Sequence, residues 1–240
     1  MTECGPEREG ARRRAMVEDQ IAARGVRDPR VLDALRRVPR HEFVPEGVRA
    51  DAYGDQALPI GLDRTISQPY IVGLMTEAAR LRPGDRVLEV GTGSGYQAAV
   101  LSVVLGEAPG ARGALWSIEI VEPLARRARA TLDRLGYGAV RTRIGDGWKG
   151  WPEEAPFDAI LVTAAPPTIP PELVDQLAAG GRLVIPVGPR EETQSLVRLE
   201  RCADGSLART ELCAVRFVPM VLDSEPRPVE DEPEEGRGGP

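Results

Sequence analysis

The chain has 240 residues, 42% of them hydrophobic, and a formal net charge of -6. Such a length suits one large domain, or a domain with an appendage, that buries a sizeable core; no apolar run approaches the ~18 residues of a membrane helix, and the charges between Glu3 and Arg14 have no apolar stretch behind them, which argues against a secretory signal. Residues 224–240 hold six acids against two arginines, so -4 of the charge sits in this tail and the remaining 223 residues carry only -2, a near-neutral body without the basic stripe expected of a nucleic-acid binder.

Residues 1–11 read as disordered. A helix is predicted over 12–24, stopped by Gly25 in the C′ position. Asp28-Pro29 opens a second helix whose apolar face is Val31, Leu32, Leu35 and Val38, and Pro39 and Pro45 break that pattern. Residues 50–66 are rich in Gly, Asp and Pro and read as loop or short strand, after which a helix returns over 68–81 with Pro69 in its first turn. From Asp85 onward strands predicted over 86–90, 114–118, 140–144, 158–163 and 182–187 alternate with helices over 96–105, 123–135 and 170–179. The strands are apolar without alternation, as in a sheet covered on both faces, and repeated βα units imply an α/β fold with a doubly wound, mostly parallel sheet behind an N-terminal helical extension. The stretches 195–201 and 212–219 flank Asp204-Gly205, a hairpin signal. The acidic, Pro/Gly-rich tail cannot bury enough apolar surface to order itself. The expected division is a disordered N-terminus (1–11), a helical and loop subdomain (12–80), an α/β core (81–223) and a disordered acidic tail (224–240).

Cys4, Cys202 and Cys213 form no C-x-x-C pair; Cys202 and Cys213 lie within reach across the late hairpin, and the plain reading is reduced thiols in a cytoplasmic protein. His41 is the only histidine, which removes Ser-His-Asp and Cys-His catalysis and leaves no basis for a zinc site. Its expected role is packing near Phe43. Lys149 is the sole lysine among 31 basic residues, a skew that reads as coding bias rather than function.

The most informative stretch is Val87-Leu88-Glu89-Val90-Gly91-Thr92-Gly93-Ser94-Gly95, an apolar strand running into three alternating glycines and then a helix start. This geometry lets backbone approach a nucleotide-like ligand. Tyr96 stands where the dinucleotide fingerprint wants Gly or Ala for close helix–strand packing, which argues against NAD. With Glu89 two residues ahead, the loop resembles the cofactor loop of class I S-adenosylmethionine-dependent methyltransferases, although taken alone it is equally a tight βα turn. Ligands in such sheets lie outside the carboxyl ends of the strands. Glu119, after the second strand, is then expected to accept from the ribose hydroxyls, and Asp146, within Gly145-Asp146-Gly147, to take the adenine amino group. Singly these are a strand-end acid and an Asx turn; the three together read as a cofactor site for S-adenosylmethionine in a Rossmann-like fold.

Further segments resemble one family. Leu58-Pro59-Ile60-Gly61, Thr65-Ile66-Ser67-Gln68-Pro69-Tyr70, Gly145-Asp146-Gly147-Trp148, the run from Pro156 through Thr163-Ala164-Ala165-Pro166, Gly180 to Gly188, and Val215-Arg216-Phe217-Val218-Pro219 are similar to protein-L-isoaspartate O-methyltransferases. The resemblance runs from about Arg13 to Pro219. It implies methyl transfer from S-adenosylmethionine, released as S-adenosylhomocysteine, to the α-carboxyl of L-isoaspartyl residues in damaged proteins, followed by succinimide closure. Carried over by position, Ser67 is the active-site hydroxyl. Gly91, Thr92, Gly93, Ser94, Gly95, Glu119, Asp146 and Gly147 are cofactor contacts, and Leu58, Pro59, Ile66 and Val218 are substrate contacts. No metal, nucleic-acid or membrane partner is expected, and the chain is expected to be a cytoplasmic monomer. The chemistry agrees with the residue inventory, because a carboxylate with a pKa of about 4 is ionised at neutral pH and needs no general base. What remains for the protein is alignment, exclusion of water and one donor to a carboxylate oxygen. Ser67 also reads as the N-cap of the helix that follows. Rival readings are a relative that methylates an aspartate of one dedicated peptide, a class I methyltransferase acting on RNA or a small molecule, and an inactive cofactor-binding module.

Overall fold

The computed structural model describes residues 5–106 and 114–221; the acidic tail and residues 1–4 lie outside them. The first helix, α1 (Gly5–Ala15), begins earlier than predicted and passes into a π-helical turn over Met16–Ile21 and a 3₁₀ turn over Ala22–Arg24. The widened turn turns Met16, Val17 and Ile21 into the core, and Gly25, at φ 102°, ends the segment as expected. In α2 (Pro29–Arg37), Asp28 caps the first turn by accepting from the Arg30 N–H at 2.9 Å, with Pro29 at the first position. Two 3₁₀ turns (Arg40–Phe43 and Glu46–Asp51) lead to the antiparallel pair β1 (Leu58–Gly61) and β2 (Arg64–Ile66), which resolve the aperiodic 50–66 segment. Then comes α3 (Pro69–Ala78).

The core follows as β3 (Arg86–Val90), α4 (Tyr96–Leu105), β4 (Ala114–Glu119), α5 (Glu122–Arg134), β5 (Arg141–Ile144), β6 (Phe157–Val162), α6 (Pro171–Asp175), β7 (Leu177–Val187), β8 (Gln194–Arg201) and β9 (Leu207–Val215). The seven strands stand in the order β5-β4-β3-β6-β7-β8-β9. β3 to β7 run parallel, and β8 and β9 are added antiparallel. Alternate strand residues enter two separate cores. Val87, Leu115, Leu161 and Val184 pack with α4 and the N-terminal helices; Leu88, Trp116, Ile160 and Leu183 pack with Leu173 of α6 and the 3₁₀ segments around Trp148 and Trp151. Both faces are therefore apolar, which is why the strands show no polar alternation.

Two predicted elements differ. The helix expected over 170–179 is only five residues long, and β7 starts at Leu177 rather than Arg182. The small residues Ala178-Ala179-Gly180-Gly181 carry little strand propensity of their own; pairing of Phe157 with Leu177, with a bulge before Ala159, draws them into the sheet. The last strand is Leu207–Val215 rather than 212–219. A tight turn, closed by the Cys202 N–H on the Ser206 carbonyl at 2.8 Å, leaves no slack, so pairing begins at Arg201 and Leu207. The exposed Arg209-Thr210-Glu211 hid this strand from an apolar count. Cys213 lies opposite Leu196, so the two described cysteines do not face each other, and both are free.

Candidate active site

β3 lies inside the sheet, with the chain wound outward to β4 on one side and to β6 on the other. The crevice at this switch in strand order is where a ligand of an open α/β sheet binds. The glycine loop after β3 is pinned to both neighbours. The Gly91 and Thr92 N–H groups donate to the Ile118 carbonyl on the β4 side at 2.8 and 3.1 Å. On the β6 side the Thr163 hydroxyl donates to the Gly91 carbonyl at 2.6 Å. Gly91 has φ 98°, and a Cβ there would stand 2.4 Å from the Thr163 hydroxyl oxygen, so no other residue fits without displacing the loop. Gly147 is fixed by closeness alone, since its Cβ would lie 2.4 Å from Cγ1 of Val90. Glu119, only 6% exposed, ends β4 and accepts from the Gly93 N–H through Oε2 (2.8 Å) and from the Val121 N–H through Oε1 (2.9 Å). Each oxygen retains a further lone pair, and Glu119 lines the cavity.

Ile66, Ser67, Gly91, Thr92, Gly93, Ser94, Glu119, Gly147 and Val218 all line this cavity. Four expected contacts are not among its lining residues. Gly95 is the left-handed N-cap of α4, packed against Ala128 and Leu132 of α5. Asp146 caps the short 3₁₀ turn after β5, its Oδ1 accepting from the Trp148 N–H at 2.9 Å. Leu58 is buried in the core while Pro59 faces outward, and neither lines the cavity or the groove beside it. Residues not singled out as contacts complete the walls: Tyr96, Thr163, Pro219 and Met220. Of these Thr163 was detectable, being the last residue of a predicted strand and so at its carboxyl end. Pro219 and Met220 arrive by long-range pairing, with the Ala165 N–H on the Val218 carbonyl (2.8 Å) and the Met220 N–H on the Ala165 carbonyl (2.9 Å).

A larger groove, bordered by Asp55, Gln56, Gln68, Ile71, Arg216 and Phe217, adjoins the cavity. Thr65, Ser67, Thr163 and Val218 belong to both, forming a neck. The N-cap of α3 is Gln68 rather than Ser67, without a side-chain capping bond. The Ser67 hydroxyl is not spent on the helix and makes no hydrogen bond among the described residues.

Beneath the loop Glu89 is completely buried. Its Oε2 accepts from the Ser117 hydroxyl at 2.5 Å, and the Ser117 hydroxyl oxygen in turn lies 2.5 Å from the Thr92 hydroxyl. Burial pushes the Glu89 carboxyl up to about 8, against the Ser117 bond, and nearby Glu119 adds to the rise. The acid of the glycine motif therefore supports the loop from below, largely as the neutral acid at pH 7. His41 lies away from the cavity, its Nδ1 2.6 Å from the Tyr53 hydroxyl, and burial draws its pKa below the usual value.

The residues fit S-adenosylmethionine by the chemistry of their donors and acceptors. A buried carboxylate with free lone pairs suits a ribose diol, glycine backbone gives close approach, and Val90, Ile118 and Met220 form an apolar slot for a flat ring. Among the described residues no cluster of three or more His, Cys, Asp or Glu gathers, and no helix is long and apolar enough to cross a membrane.

A model of the family described as "Protein-L-isoaspartate(D-aspartate) O-methyltransferase" matches residues 11–225. A protein-L-isoaspartate O-methyltransferase of Opitutus terrae is 57% identical over 211 residues, covering 88% of this chain and 87% of its own. The corresponding protein of a Synechococcus species is 54% identical over 217 residues, 88% of this chain and 86% of its own. Among solved structures, a protein-L-isoaspartate O-methyltransferase superposes with a TM-score of 0.78 at 30% identity, covering 88% of this chain and 66% of that one. A Plasmodium falciparum protein described as a putative protein-L-isoaspartate O-methyltransferase, in complex with S-adenosyl-L-homocysteine, gives 0.77 at 25% identity, covering 87% of this chain and 98% of its own.

Proposed function

The chain belongs to the protein-L-isoaspartate(D-aspartate) O-methyltransferase family, and from that premise we propose that its strand-end cavity binds S-adenosylmethionine while the neck at Ser67 aligns an isoaspartyl carboxylate. The activity is S-adenosylmethionine-dependent methylation of L-isoaspartyl residues, which begins their repair. The bound cofactor supplies a methyl group on a sulfonium. Gly91–Ser94, Glu119 and Gly147 would hold it. The observation that carries the reading is the position of Ser67, whose unspent hydroxyl borders both the cavity and the groove.

From there Ser67 donates to one oxygen of the isoaspartyl carboxylate and leaves the other free to attack. No proton has to be removed, so no residue is needed as a base. The attacking carboxylate is negative and the donor positive, and both charges vanish as the ester forms. An environment that excludes water favours such a charge-cancelling step, and Ile66, Val72, Val90, Ile118 and Val218 provide the apolar walls. Thr65 and Thr163 complete the neck. The same reading carries action in the cytoplasm as a monomer, without metal, nucleic-acid or membrane partner; the free thiols of Cys202 and Cys213 and the near-neutral body support it.

The test is methyl transfer from labelled S-adenosylmethionine to two peptides that differ only in L-isoaspartate or L-aspartate at one position. Base-labile label on the isoaspartyl peptide alone is the expected result; label on the aspartyl peptide, or on neither, overturns the reading. Ser67→Ala is expected to lower kcat on the order of 100-fold, as loss of a donor at a reacting oxygen does, with cofactor Kd unchanged. Wild-type kcat in that variant would remove Ser67 from the mechanism.

A further inference from the structure

Arg40 is a buried cation without an acid. Its side chain is fully enclosed, and among the described residues no carboxylate pairs with it. Nε donates to the Ala52 carbonyl at 2.8 Å and Nη2 to the Gln56 carbonyl at 3.5 Å, while the guanidinium carbon stands 5.0 Å from the centre of the Tyr96 ring. Nη1 and the Tyr96 hydroxyl are both buried without a hydrogen-bond partner among the described residues. Burial draws the Arg40 pKa down to about 10.

A charge in this position is unfavourable unless it does something an apolar side chain cannot, since buried ions are often replaceable by well-packed hydrophobic residues without loss of stability. What the guanidinium alone does is hold two carbonyls of one loop against an aromatic face. The two ends of this arrangement are the two halves of the site. Tyr96 is the first residue of α4 and lines the cofactor cavity, whereas Gln56 lines the groove. Other contacts also tether the loop: Gln20 Nε2 on the Tyr53 carbonyl (3.0 Å), Gln68 Nε2 on the Asp55 carbonyl (3.1 Å) and the exposed Arg24–Asp55 pair (2.9 Å). Arg40 differs from these in also packing on the cofactor side.

We propose that Arg40 is a positioning residue for methyl transfer, fixing the 52–56 loop, one bank of the peptide groove, against the Tyr96 wall of the cofactor cavity. This rests on the reading of cavity and groove given above. Arg40 touches neither substrate nor cofactor, so its signature is a split among kinetic constants rather than loss of chemistry. Arg40→Met keeps the stem and removes the donors. It is expected to lower the thermal midpoint by a few degrees, because the Ala52 and Gln56 carbonyls lose their donor, and to leave cofactor Kd within about twofold, the neighbouring contacts being intact. The KM for the isoaspartyl peptide should rise on the order of tenfold, the worth of one charge-assisted hydrogen bond, with a smaller change in kcat. Arg40→Lys, which keeps the charge and reach to one carbonyl, should recover part of the KM. An unchanged peptide KM, or KM, kcat and cofactor Kd all moving together with lost stability, overturns the proposal. If Arg40→Met does not fold, Arg40→Lys is judged by the same three constants. Wild-type transfer to the isoaspartyl peptide separates the two failures: without it the site reading falls and Arg40's role with it, whereas normal wild-type transfer with an unmoved KM removes Arg40 alone.

Discussion

The two walls of the site are made in different ways. One is the row of strand ends of β3, β4 and β6, where backbone N–H and carbonyl groups left over from the parallel ladder hold the glycine loop, and Glu119 is fixed by two N–H donors. The other is the cap formed by residues 40–68, largely 3₁₀ turns and a short hairpin, in which side chains satisfy the backbone. Regular structure satisfies its own polar groups and leaves a rigid edge; irregular backbone must be satisfied from outside, at the expense of burying polar side chains such as Arg40. The cofactor wall should therefore be intolerant of backbone changes, and the cap wall of side-chain changes.

The largest effect should come from Gly91→Ala. Its Cβ would press on Thr163 at a positive φ, and strain plus overlap amount to about 2–5 kcal/mol. Calorimetry should show loss of cofactor binding together with a lower melting midpoint; a variant that binds normally would break the comparison. Next is Glu119→Gln, which replaces one acceptor by a donor facing a backbone N–H. Cofactor Kd should rise on the order of tenfold, measured by titration, with peptide KM unchanged.

A smaller effect belongs to Glu89. Its folded pKa of about 8 lies above the unfolded value near 4.5, so the native state holds a proton that the unfolded chain has released. Stability from this group is complete below the unfolded value and declines as pH rises toward 8. The melting midpoint of Glu89→Gln should match wild type near pH 5 and exceed it by a few degrees near pH 8; a gap that narrows with rising pH would contradict the assignment. Smallest of all is Gly47→Ala in the cap, where a Cβ meets nothing within 4 Å and φ is not positive. A change within about 0.5 kcal/mol is expected, and a larger loss would mean the cap is as unforgiving of backbone changes as the strand ends.

The strand-end wall was legible because its signals are short-range. Val87 to Gly95 carries strand, turn and helix start within nine residues, and the rule that ligands sit at carboxyl ends supplies Glu119. The rest depends on pairings distant in sequence. Nothing near Arg40 distinguishes it from the chain's other arginines, and its burial follows from carbonyls 12 and 16 residues away. Ser67 reads locally as a helix cap, yet the helix starts one residue later and leaves the hydroxyl free. Asp146 and Gly95 were assigned to the ligand by motif, and the structure gives each a local role besides, Asp146 as a turn cap through Oδ1 and Gly95 as a helix cap packed on α5.

The return of the chain from β9 to Ala165 bears on the order in which this molecule comes into being. Val218, Pro219 and Met220 close the neck and the cavity, yet they are among the last described residues to leave the ribosome. The parallel strands and their helices can be complete while this side is still missing, since domains begin to fold during synthesis. Chains interrupted after β8 would hold most of the sheet and the whole glycine loop but lack the edge strand and the last wall. A copy interrupted there is thus left without a closed site, and methyl transfer awaits synthesis of the segment after β9.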